Sequence, residues 1–78
     1  MNIYTLLKIE GDMKEVKTSF SLDGIKQIVE HISITDESES VYYLYEIIME
    51  LGAVNCPTIL IASGTIKEVQ QFLKSNLV

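Results

Sequence analysis

Arginine and tryptophan are absent from this chain of 78 residues, and cysteine, histidine and proline occur once each, as Cys56, His31 and Pro57. Each gap closes off a class of function. Without arginine there is no planar fork to grip phosphate or guanine edges, and the net charge is −5, so no nucleic-acid binding is expected. A single cysteine makes no disulfide within the chain, and with a single histidine it falls short of the ligands that structural zinc requires. No metal site and no cofactor are expected. The apolar runs are far shorter than the ~20 residues that cross a bilayer, so no membrane span is expected either. The first residues, Met1-Asn2-Ile3-Tyr4-Thr5, lack the basic start and long apolar core of a signal peptide. Together with the lone cysteine, they point to the reducing cytoplasm.

What is present is apolar surface. At 47% hydrophobic, residues 1–78 suffice for a single domain with one core. A domain this small buries only about 60% of its unfolded surface, which leaves a thin stability margin. Disulfides and metals being excluded, self-association is the remaining common aid, and a homodimer is expected.

Charge is unevenly spread. Between Gln27 and Ile66 there are six acids and no lysine, whereas the two ends hold all six lysines against five acids. Eleven isoleucines beside two alanines, with no arginine, match AT-rich coding, as in a low-GC bacterium or its phages.

Residues 2–9 alternate as a strand, with Ile3, Thr5, Leu7 and Ile9 on one face. Glu10-Gly11-Asp12-Met13 predicts a turn, and residues 15–20 alternate again as a hairpin partner. Ser21 is a good N-cap for a first helix from about Leu22 to His31, burying Leu22, Ile25, Ile28 or Val29, and Ile32. A second helix is expected from about Glu37 to Leu51, ended by Gly52, with Val41, Leu44, Tyr45, Ile48 and Leu51 inward. Ile59-Leu60-Ile61-Ala62 reads as a central strand buried on both faces. Thr65 and Glu68 then stand at capping-box spacing ahead of a last helix from Ile66 to about Ser75, burying Ile66, Val69, Phe72 and Leu73. The expected fold is α+β in the order β-β-α-α-β-α: an N-terminal hairpin and a third strand forming a sheet covered by helices.

Three patterns suggest chemistry. Ser63-Gly64-Thr65, at a strand-to-helix junction, has the geometry to offer backbone N–H groups to a phosphate or small molecule, although a single glycine ordinarily marks just a turn. Cys56 and His31 match no hydrolase signature, and His31 is well explained by dipole placement at a helix C-terminus, so no catalytic residue is assigned. Asp36, Glu37 and Glu39 read as a solvated helix start. The second helix is the most informative surface, since Glu39, Tyr42, Tyr43, Glu46, Met49 and Glu50 fall opposite its core stripe. Tyrosine and methionine among carboxylates make a rigid amphipathic contact area. The function expected is therefore that of a non-enzymatic acidic interaction protein. It would bind a basic protein surface or itself through this helix, as an inhibitor encoded by a phage or mobile element would. The alternative is a small-molecule or phosphate-binding module using Ser63, Gly64 and Thr65.

Overall fold

The computed structural model describes residues 2–35, 40–50, 52 and 55–76. In chain order these form β1 (Asn2–Glu10), β2 (Met13–Ser19), α1 (Leu22–Thr35), β3 (Val41–Ile48), β4 (Thr58–Gly64) and α2 (Ile66–Asn76). The α+β class stands, but the order is β-β-α-β-β-α, because the segment expected as a second helix is a strand.

The hairpin forms as its turn chemistry dictates. Gly11 sits at φ 60, where a side chain is disfavoured, and β1 and β2 pair antiparallel from Glu10↔Met13 to Tyr4↔Ser19. Ser21 caps α1 by accepting from the Gly24 amide at 3.0 Å, and its own amide donates to Ser19 Oγ at 3.2 Å. A Cβ on Gly24 would meet the Ser19 hydroxyl, so a larger residue there would make Ser19 turn away from the Ser21 amide it accepts from. α1 runs one turn beyond its expected end, through Ser33 and Thr35. Their hydroxyls donate to the carbonyls of Glu30 and His31 respectively.

β3 departs from expectation for a physical reason. Val41-Tyr42-Tyr43-Leu44-Tyr45-Glu46-Ile47-Ile48 is almost wholly apolar or aromatic, so a helical stripe can be drawn through it as readily as an alternation. Three tyrosines and three β-branched residues favour the pleated conformation. Gly52, at φ 83, serves the connection after β3 and not a helix end. The expected helix start at Asp36, Glu37 and Glu39, and the expected inward Leu51, lie outside the described residues.

The sheet order is β2-β1-β3-β4, antiparallel throughout. β4 is therefore an edge strand, not a central one, and Ile59 and Leu60 are 47% and 51% exposed. A register shift opposite Leu44 and Tyr45 further loosens its pairing. α2 begins as the capping box requires: the Glu68 amide donates to Thr65 Oγ1 at 3.3 Å and the Thr65 amide to Glu68 Oε1 at 3.2 Å.

Both helices pack on one side of the sheet. Ile25, Val29 and Ile32 of α1 meet Ile66, Val69 and Leu73 of α2 over Leu6, Tyr42 and Leu44. Strand residues alternate between faces, so the even-numbered residues of β1 and β3 point at the helices and the odd-numbered ones away. The Cα atoms span 41 × 33 × 15 Å, and the short axis has room for one sheet and one helical layer.

Candidate functional site

The face of the sheet turned away from the helices is an organised surface built from all four strands. The register sets its side chains in rows across the sheet: Val16, Leu7, Tyr43 and Ser63 in one, Thr18, Thr5, Tyr45 and Leu60 in the next. Ile9 and Val41 flank these at one end, Ile3 and Ile47 at the other. Tyr43 and Tyr45 stack with ring centroids 6.5 Å apart and planes inclined by 23°. Most of these side chains are half-buried by one another, while Val16, Val41 and Leu60 are 57%, 42% and 51% exposed. Among the described strand residues, the only ionisable side chain on this face besides the two phenols is Lys14, across from Ile9. The surface is apolar, aromatic and nearly uncharged.

The residues expected to share an outward helical sector are distributed otherwise. Tyr42 faces the helices and is 2% exposed, filling the core where Tyr45 was expected. Tyr43 lies on the open face. Glu46 is half-buried on the helix side and accepts hydrogen bonds from Asn2 Nδ2 at 2.8 Å and from the Tyr4 hydroxyl at 3.2 Å. Burial, and then the neighbouring Glu46 carboxylate, raise the Tyr4 phenol above its ordinary pKa. Met49 and Glu50 are exposed beyond the end of β3, and Glu39 lies outside the described residues. Among the described residues, the tyrosines lie on a strand and not on an acidic helix.

Ser63, Gly64 and Thr65 do form a strand-to-helix junction, and the two donors of Thr65 are engaged. The Glu68 carboxylate receives both the Thr65 amide and the Thr65 hydroxyl. A Cβ built on Gly64 would lie 3.1–3.2 Å from the Glu68 carboxyl atoms. The Glu68 carboxylate therefore lies directly against the Thr65 donors. Cys56 and His31 are not brought together: Cys56 precedes β4 near Ile48, and His31 lines a cleft with Lys8 and Lys17 toward the other end of the sheet. Among the described residues no group of His, Cys, Asp or Glu is placed to hold a metal ion, and no helix is long and apolar enough to cross a membrane.

Sequence reasoning missed the open sheet face as a unit because it treated β3 as a helix. The signal was present in the alternation of Ile3, Thr5, Leu7 and Ile9, which left β1 with apolar residues on both sides. Compared with known protein families, curated proteins and solved structures, the chain matches none.

Proposed function

We propose that this protein is a non-enzymatic interaction module that works as a homodimer, joined through the open face of its sheet. The observation that supports this reading is the near absence of charge on that face in a chain of net charge −5. Two copies of an acidic protein repel wherever their carboxylates meet, and the described strand residues put none on this face. A basic partner would have nothing to recognise on it, so a second copy is favoured over the basic surface that the charge balance suggests.

Size is consistent with that occupant. Strands of seven to nine residues, four abreast, cover about 500 Å² per copy. Two such faces bury about 1,000 Å², the threshold area for a specific protein interface. Tyr43 and Tyr45 at the centre are the residue type that carries binding energy in such patches.

The experiment is a sedimentation measurement of mass. The wild type is expected near two 8.8 kDa units at micromolar concentration. Tyr43→Glu, which sets a carboxylate in the middle of the face, should give a folded monomer. Ile34→Glu, at a 74% exposed position on α1, should leave the dimer intact. A monomeric wild type, or dissociation by Ile34→Glu and not by Tyr43→Glu, would count against the reading.

A further inference from the structure

On the opposite, helix-bearing side, a cleft of about 310 Å³ lies between the C-terminal part of α1 and strands β1, β2 and β3. Its apolar part is Leu6, Ile32 and the ring of Tyr42, and its polar part is Lys8, Lys17, His31 and Thr35 together with one acid, Glu15, at the rim beside Lys17. That volume falls at the small end of the range for small-molecule sites, about 300–1,000 Å³.

Lys8 is the unusual member. It follows Leu6 on the core-facing side of β1, and its side chain is only 20% exposed. A lysine so placed must keep its ammonium hydrated or compensated. Here the ammonium lies 5.9 Å from the centroid of the Tyr42 ring and 3.5 Å from Glu10 Oε2. Lys17 comes from the neighbouring strand: Lys8 pairs with Glu15 and Leu6 with Lys17, so the two lysines are diagonal neighbours. Long side chains so related, about 7–8 Å apart at their origins, can converge on one group. Each already has a carboxylate partner, but Glu10 and Glu15 are 58% and 59% exposed and their contacts are long, 3.5 and 3.4 Å. The Lys17–Glu15 pair, exposed at both ends, is of the kind that contributes little and is readily exchanged, and the Glu10 carboxylate is free to turn to solvent.

We propose that this cleft binds a small organic anion with an apolar body, of which a medium-chain carboxylate is the simplest case. The ammonium groups of Lys8 and Lys17 hold the carboxylate, and the apolar body lies along Leu6, Ile32 and the Tyr42 ring. The site is on the other side of the sheet from the proposed dimer face, and neither reading depends on the other.

The test is NMR titration of the whole protein with hexanoate, with hexanol and acetate as the uncharged and the short controls. Hexanoate should shift amides of β1, β2 and the last turns of α1 saturably, and neither control should match it. Lys17→Met is expected to weaken hexanoate by about three- to tenfold, the loss of one charge-assisted contact. Lys14→Met removes the same charge from the other face of the same strand and should leave binding unchanged. Absence of saturable shifts with hexanoate, equal binding of hexanol, or equal weakening by Lys14→Met would each overturn the proposal. Hexanoate binding by a chain that sediments as a monomer would uphold this site while removing the dimer.

Discussion

At the scale of single residues, the tyrosines of β3 decide which surface is core and which is open. Helical spacing placed Tyr45 inside with Tyr42 and Tyr43 outside, whereas the strand period of two places Tyr42 inside and Tyr43 and Tyr45 outside. Truncation separates the two arrangements. Tyr42→Ala removes a side chain that is 2% exposed and should cost about 3–5 kcal/mol in chemical denaturation. Tyr45→Ala, measured at a concentration where the chain is monomeric, should cost about 1 kcal/mol, the loss of cross-strand contacts alone. The reverse ranking would return Tyr45 to the core and dissolve the open face. Glu46 illustrates why such positions were hard to read. Its value lies in accepting from Asn2 and Tyr4 on β1, more than forty residues earlier, and no local pattern encodes that pairing.

At the scale of elements, what was legible is what local chemistry determines. The Gly11 turn, the Ser21 cap and the Thr65–Glu68 box each depend on groups within three residues, and each formed. Thr65→Ala should cost about 1 kcal/mol, measured by urea denaturation, since it removes the acceptor for the Glu68 amide. A neutral substitution would mean that the Glu68 carboxylate alone sustains the start of α2. The last helix and its buried Ile66, Val69 and Leu73 were equally legible, because polar residues between them leave only one face apolar. β3 was not, because a segment with almost no polar residue has no preferred period. The position of β4 was not either. Ile59-Leu60-Ile61-Ala62 reads the same in the middle of a sheet as at its edge, and strand order is set by long-range pairing.

At the scale of the molecule, the balance of layers matters most. Two helices of 14 and 11 residues cover one side of a four-stranded sheet whose other side is lined by isoleucine, leucine, valine and tyrosine. Apolar patches of this extent on small domains mark contact surfaces, and association also offsets the thin margin of a short chain. The candidate site was legible in its residue types, tyrosine in an apolar setting, but not in its geometry, which depends on β3 lying between β1 and β4. The central claim is that two copies meet through this face. It is tested most directly by an isotope-filtered NOE experiment on an equimolar mixture of labelled and unlabelled protein. The account predicts intermolecular contacts among Leu7, Tyr43, Tyr45 and Leu60, and none from Ile34 or Phe20. A dimer whose only intermolecular contacts come from the helices, or a mixture with no intermolecular contact at all, would contradict it.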